Sequence, residues 1–249
     1  MEFVSLEGLR IDGRRPKELR RLACHFDVLE AADGSAIFEM GNTKVLASVF
    51  GPHEVRNRSE CDDDKVVVKC EYAMASFSTG DRRRRGKIDR RSNEISHVIK
   101  NTLEQLILVK LMPRSQIDVY IQVLQADGGM RSAAINAAVL ALASAGVPMV
   151  DIVSACTAGY LDGTALLDLN VTEDNGGGPD VSVAFAPNSG KILQMQMDGR
   201  MPEAAFNEVA ELAREGCVAV AGTMRTALLE HTRQKVKAQT LVLAPSSKK

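Results

Sequence analysis

The chain contains no tryptophan, and aromatic residues make up only 4% of its 249 positions. Stacking platforms for bases are therefore scarce, and a nucleic acid bound here would be gripped mainly through its backbone, without regard to sequence. Its five cysteines (Cys24, Cys61, Cys70, Cys156 and Cys217) are odd in number and widely scattered. With no CxxC pair and no matching histidine cluster, neither a disulfide framework nor a zinc site is favoured, and reduced intracellular thiols are expected. No run approaches the roughly 18 uninterrupted apolar residues of a membrane span, and Met1 to Ser5 lacks a basic-then-apolar leader, so no membrane partner is expected. A linker rich in Gly, Ser or Pro is also missing. At 45% hydrophobic content the chain can bury a sizeable core, so residues 1–249 are expected to form one domain, with a frayed tail from about 240.

A net charge of −1 hides an uneven distribution. Arg82-Arg83-Arg84-Arg85-Gly86-Lys87-Ile88-Asp89-Arg90-Arg91 carries seven positive charges in ten residues. Alone, such a run serves as a solvated loop or a targeting signal about as often as a polyanion track. Two further segments favour the track. Asp127-Gly128-Gly129-Met130-Arg131-Ser132 offers backbone N–H groups, a guanidinium and a hydroxyl at a strand-to-helix junction, which is anion-binding chemistry. Glu173-Asp174-Asn175-Gly176-Gly177-Gly178-Pro179-Asp180 sets two carboxylates around a glycine-rich turn, where both can converge on a hard cation such as Mg²⁺. Taken alone, a pair of turn aspartates is more often structural than catalytic, and Arg131 could equally pair with a carboxylate for stability.

Apolar patterning predicts a mixed α/β order with much antiparallel pairing. Strands are expected within Phe26–Pro52, broken at Ala32-Asp33-Gly34-Ser35 and Gly41-Asn42-Thr43, and again over Val66–Tyr72 and Ile117–Leu124. Between them, Gly51 to Lys65 reads as a surface loop. A helix is expected from Glu94 to Met112, stopped by Pro113, and an alanine-rich buried helix over Met130–Ala145. Ile152–Gly159 and Leu166–Leu169 read as strands, and Val181–Phe185 with Ile192–Met197 as a hairpin about Asn188-Ser189-Gly190. A long helix follows from Pro202 to about Lys237, with Phe206, Val209, Leu212 and Ala213 on one face. Met195, Met197 and Met201 read as core or interface filler. The four histidines form no constellation.

These motifs, in this order, resemble the ribonuclease PH superfamily, and specifically the catalytic type of exosome ring subunit found in archaea and eukaryotes. The resemblance is carried by Glu7-Gly8-Leu9-Arg10-Ile11-Asp12-Gly13-Arg14-Arg15, Ala31-Ala32-Asp33-Gly34-Ser35, Pro113-Arg114 with Ile117-Asp118, Leu124-Gln125-Ala126-Asp127-Gly128-Gly129, and the Asp174/Asp180 segment. It implies a ribonuclease PH fold, a βαβα-type core of mixed and antiparallel sheets packed on helices, within a six-membered ring threaded by single-stranded RNA. The implied partners are other ribonuclease-PH-like subunits, cap proteins with S1 or KH domains and, in eukaryotes, a separate hydrolytic nuclease.

The implied chemistry is phosphorolysis, in which inorganic phosphate as co-substrate attacks the 3′-terminal phosphodiester and releases nucleoside diphosphates. By matching positions, Arg131 and Ser132 would hold that phosphate with the Gly129 and Met130 backbone, and Arg90 and Arg91 would grip the last RNA phosphates. The basic run Arg82, Arg83, Arg84 and Arg85 would extend the RNA track. Asp174 would be the principal catalytic acid or metal-associated carboxylate, and Asp180 would support Mg²⁺ or Mn²⁺. Two positions depart from the pattern: Met130 stands where many active relatives have threonine, and Pro179 with the triple glycine replaces a more typical run. A non-catalytic RNA-binding scaffold is therefore the competing reading, with a stand-alone homohexamer that trims transfer RNA ends as a third. The resemblance places the protein in nucleus, nucleolus and cytoplasm of a eukaryote, or in the cytoplasm of an archaeon.

Overall fold

The computed structural model describes residues 3–5, 7–55, 63–82 and 89–243. Arg83, Arg84, Arg85 and Cys61, part of the loop expected after Gly51, and the last six residues of the expected tail lie outside them.

Five strands build the first sheet: β1 (Leu22–Phe26), β2 (Gly34–Met40), β3 (Thr43–Glu54), β4 (Val67–Met74) and β5 (Ser115–Gln125), in the spatial order β1-β2-β3-β5-β4. Strands β1, β2, β3 and β5 pair antiparallel, while β4 runs parallel to β5 across the connection made by α1 (Arg90–Leu106). The two-residue period of the strands sets which side chains point inward. Ala36, Phe38 and Met40 of β2, Val45, Ala47 and Val49 of β3, and Val119, Ile121 and Val123 of β5 share the inner face and are fully or almost fully buried.

The second sheet, in the order β7-β6-β8-β9, is antiparallel throughout and comprises β6 (Ser154–Leu161), β7 (Thr164–Leu167), β8 (Asp180–Ala186) and β9 (Lys191–Asp198). Between the two sheets runs α2 (Met130–Ser144), buried on every side from Ser132 to Leu142. Its alanines make this possible, because small side chains let two sheets approach one helix closely while keeping a strong helix former. Buried Asn136 fastens α2 to β6, its amide nitrogen donating to the Ala155 carbonyl and its amide oxygen accepting from the Ala155 N–H. One continuous apolar core contains residues of both sheets, α1, α2 and α4 (Glu203–Leu243). The far face of the second sheet packs Cys156, Ala158, Val181, Val183 and Phe185 against Val209, Leu212, Ala213 and Cys217 of α4.

Several boundaries differ from expectation for identifiable reasons. Helix α1 ends at Leu106, six residues before Met112, because the backbone of Ile107 turns extended and bridges Met149, while Leu108 N–H donates to the Pro148 carbonyl. It also begins one turn early, at Arg90. Strand β7 stops at Leu167 rather than Leu169 because Asp168 takes a left-handed backbone (φ 55°) and turns inward. Met195 and Met197 are exposed on edge strand β9, so they fill no core here. A four-residue helix unforeseen from the sequence, α3 (Val171–Asp174), follows β7.

Candidate active site

Where the N-terminus of α2 meets the ends of β6, β8 and β9, a cleft of about 90 Å³ opens. Three surfaces line it. The first is the phosphate-type loop, represented by Gly129, Met130 and Arg131. Gly128 and Gly129 both have left-handed backbone (φ 76° and 64°), and a Cβ on Gly128 would stand 2.7 Å from the Asn170 carbonyl carbon. Only glycine turns the chain this tightly at that spot. Helix α2 starts immediately afterwards with no side-chain cap, so its first-turn N–H groups and the positive end of its dipole stand available to an anion. Among the described residues the Arg131 guanidinium has no hydrogen-bond partner, and its charge acts on the carboxylates of Asp174 and Asp180 opposite.

Those carboxylates form the second surface. Asp174 is the last residue of α3, whose start is fixed by a capping box between Asn170 and Glu173. Asp180 opens β8, and alternation along the strand carries Asp180 and Ser182 to the α2 side. Directly across from Asp180 in the β8–β9 register stands Asp198, a third carboxylate absent from the sequence-based site. Like charges placed opposite one another on neighbouring strands destabilise a sheet. Burial pushes the Asp180 carboxyl up to about 6, with Asp174 and Asp198 adding repulsion and Arg131 pulling the other way. Asp174 is also raised, first by burial and then by Asp198, against the opposing pull of Arg91 and Arg131.

The third surface comes from β4 and α1: Tyr72, Met74, Asp89, Arg91, Ser92 and Ile95. Arg90 and Arg91 are exposed in the first turn of α1, which carries no acidic residue. Two cations at the positive end of a helix are unfavourable for that helix, an arrangement that a bound anion would relieve.

The structure thus brings Gly129, Met130, Arg131, Arg91, Asp174 and Asp180 to one cleft. Ser132 sits behind it: its buried hydroxyl hydrogen-bonds the Thr157 hydroxyl at 2.8 Å, and Thr157 lies 3.4 Å from the Ser182 hydroxyl, both of which do line the cleft. Arg90 and Arg82 are exposed and do not line it. The cross-strand pair Thr157–Ser182 and the carboxylate of Asp198 escaped sequence reading because they lie in ordinary strand patterns. The acidic end of β9 next to Gly199 was the one available signal.

Among the described residues no group of three or more His, Cys, Asp or Glu side chains stands close enough together to hold an ion. Asp174 and Asp180 are nevertheless coupled carboxylates beside an anion-binding corner. They fit a cation such as Mg²⁺, which keeps several waters and takes the rest of its shell from one or two carboxylates and substrate phosphates.

This fold and cleft, with cationic and N–H donors facing carboxylates that have no ion pair among the described residues, have the form of a site that brings a small anion to a polyanion. The 3′ exoribonuclease family matches over residues 18–148 with its domain 1 and over residues 151–216 with its domain 2, and the chain belongs to that family. Within it, the chain is 56% identical over 235 residues to the exosome complex component RRP41 homolog of Arabidopsis thaliana, covering 94% of this chain and 97% of the relative. It is 46% identical over 228 residues to exosome complex component Rrp41 of Methanopyrus kandleri, covering 92% and 95%. Rice Rrp46 superposes with a TM-score of 0.78 at 29% identity, over 88% of this chain and 100% of the other. The structure described as an Archaeoglobus fulgidus exosome with RNA bound to the active site superposes with a TM-score of 0.77 at 21% identity, over 87% and 93%, a likeness of fold. The expected ribonuclease PH fold is thus borne out. No described helix is long and apolar enough to cross a membrane.

Proposed function

We propose that the chain is an exosome ring subunit carrying a phosphate-dependent 3′→5′ exoribonuclease site. The observation that carries this reading is the single cleft in which the α2 N-terminus and Arg131 face Asp174 and Asp180. Near-identity in length with the RRP41 relatives supports the assembly. Residues 1–249 act in this reading as one unit, consistent with the core shared by both sheets.

Inorganic phosphate rests on the Arg131 fork and the N–H groups of the α2 N-terminus, where a planar guanidinium can bind two of its oxygens. Arg91, with Arg90 and the basic run that precedes them in the sequence, holds the terminal RNA phosphates so that the two anions stay in contact despite their repulsion. One phosphate oxygen forms a bond to the terminal phosphorus, the bond to the 3′-oxygen of the preceding nucleotide breaks, and a nucleoside diphosphate leaves. The departing 3′-oxygen needs a proton, and Asp174, which lines the cleft and whose carboxyl burial raises above its ordinary value, is the acid in this reading. A divalent cation held by Asp180, together with Asp174 whenever that carboxyl is ionised, would supply charge neutralisation at the scissile phosphate. Orientation of the two reactants provides much of the remaining acceleration.

The same family reading extends to cap proteins with S1 or KH domains, to a separate hydrolytic nuclease, and to nuclear, nucleolar and cytoplasmic sites in a eukaryote or the cytoplasm in an archaeon. A test combines the purified chain, its ring partner, divalent metal and 5′-labelled single-stranded RNA, with and without phosphate. Phosphate-dependent shortening that releases nucleoside diphosphates and is lost in Asp174→Asn is the expected result. RNA binding by a correctly assembled ring without shortening would instead establish the scaffold.

A further inference from the structure

The amino-terminal segment around Arg10 to Arg20 touches none of the reacting groups, yet its buried arginines lie where the two halves of the cleft meet. Arg20 is nearly fully buried and grips Asp168 with both faces of its fork: Nε donates to Oδ2 at 2.9 Å and Nη2 to Oδ1 at 2.7 Å, while Arg20 N–H donates to Oδ2 at 3.0 Å. Burial works against the Arg20 charge, and the Asp168 carboxylate more than offsets it, so the guanidinium stays ionised. The remaining donors of the fork go to the phosphate loop and, from Nη1 at 3.4 Å, to the Thr43 hydroxyl. Nη1 donates to the Asp127 carbonyl, and Nη2 reaches the Gly128 carbonyl at 3.3 Å. Thr43, also fully buried, completes the grip: its hydroxyl donates to the Gly128 carbonyl at 2.8 Å and accepts from Asp127 N–H at 3.1 Å.

The consequence for the loop is directional. With the carbonyls of Asp127 and Gly128 held backward by Arg20 and Thr43, the two left-handed glycines are locked, and the first N–H groups of α2 are aimed into the cleft without a protein acceptor. The same device reaches the acidic wall. Asp168 begins the segment that ends in Asp174, and the Asp127 carboxylate accepts from Val171 N–H, the first residue of α3, at 3.3 Å. Arg20 is thus bonded to the phosphate loop directly and, through Asp168, to the root of the acidic segment, while α3 itself is held by its own capping box. Preorganised donors lose effectiveness steeply when displaced by about 1 Å.

We propose that Arg20, assisted by Thr43, is a positioning residue that sets the affinity of the cleft for inorganic phosphate without touching it. The inference rests on the phosphorolytic reading above. A residue that merely stabilises the fold would weaken RNA binding, turnover and thermal stability together. A residue that aims the phosphate loop changes the KM for phosphate alone.

The test uses the chain assembled with its ring partner and compares wild type, Arg20→Lys and Thr43→Val. Arg20→Lys keeps the charge but cannot fork. Thr43→Val removes only the hydroxyl and leaves the Arg20–Asp168 pair intact, so it decides the matter if the lysine variant fails to fold. The expected result for each folded ring is a KM for phosphate raised about tenfold, the effect of one well-placed hydrogen bond. Turnover at saturating phosphate and the Kd for 5′-labelled RNA measured without phosphate should stay near wild type. A Thr43→Val ring with unchanged KM for phosphate, or with RNA affinity and turnover falling in parallel, overturns the inference while the phosphorolytic reading stands. A wild-type ring that binds RNA but shows no dependence on phosphate overturns both.

Discussion

Glu173 and Asp174 are adjacent in the chain and have opposite fates. Glu173 is 1% exposed and forms a bidentate pair with Arg10, whose Nε donates at 2.7 Å. It also accepts from Asn170 N–H to close the capping box. Asp174 faces the cleft beside Asp180 and Asp198, carboxylates with no salt bridge among the described residues. One carboxylate cluster is satisfied in full and holds the fold, while the other is left in mutual repulsion. Two such clusters a residue apart show that this protein concentrates its unfavourable electrostatics where a substrate or cation can relieve it, and braces the backbone just behind with paired charges.

The sharpest way to separate the clusters is to break each one. Asp174→Asn should lower phosphorolysis by a factor of about 10² to 10³, the scale of losing one electrostatic contact to a transition state, with stability unchanged or raised. Arg10→Ala should do the reverse in kind: it strands Glu173 buried and unpaired, at a cost of about 3–5 kcal/mol read from urea unfolding. Equal stability losses in the two variants would abolish the distinction.

A pH series sharpens it further. Because the Asp180 carboxyl is raised to about 6 in the folded protein against an ordinary 3.8, the folded state binds its proton more tightly than the unfolded chain. The associated stability is complete below about pH 4 and is lost as pH rises through about 6. Asp180→Asn should therefore gain on wild type in urea midpoint across that window, measured in chelator, and Mg²⁺ should narrow the gap. A gap that does not change with pH would mean that the Asp174–Asp180 cluster is no more strained than the paired one.

Arg91→Ala should reduce the slope of log affinity for single-stranded RNA against log salt by about 0.7, one phosphate contact, with the effect independent of base sequence. The smallest expected change belongs to Met130→Thr at the cleft edge. A hydroxyl next to the bound phosphate should lower the KM for phosphate by no more than about tenfold, one hydrogen bond's worth.

Much of this was legible beforehand because it depends on local pattern. The strand alternation of Val45–Val49, the alanine-rich run of α2, the paired glycines 128 and 129 and the two carboxylates about the glycine turn carry their structural consequences in their own spacing. Asp198, Thr157 and Ser182 were not legible. Each belongs to a strand whose own pattern is unremarkable, and only the β6–β8 and β8–β9 registers bring them to the cleft. Ser132 shows the opposite limit: its motif placed it at the anion site, while helix geometry turned its hydroxyl toward Thr157.

The amino-acid sequence by itself determined the family, the mixed α/β order and the presence of an anion-binding turn followed by a pair of carboxylates, since these are set by residue type and short spacing. Tertiary structure alone decided which carboxylates are paired and which have no ion-pair partner among the described residues. That choice depends on arginines far away in the chain, Arg10 reaching Glu173 across 163 positions and Arg20 reaching Asp168 across 148. No local spacing encodes such a meeting, because the cost of burying those charges is offset only once both partners arrive at the same dry point.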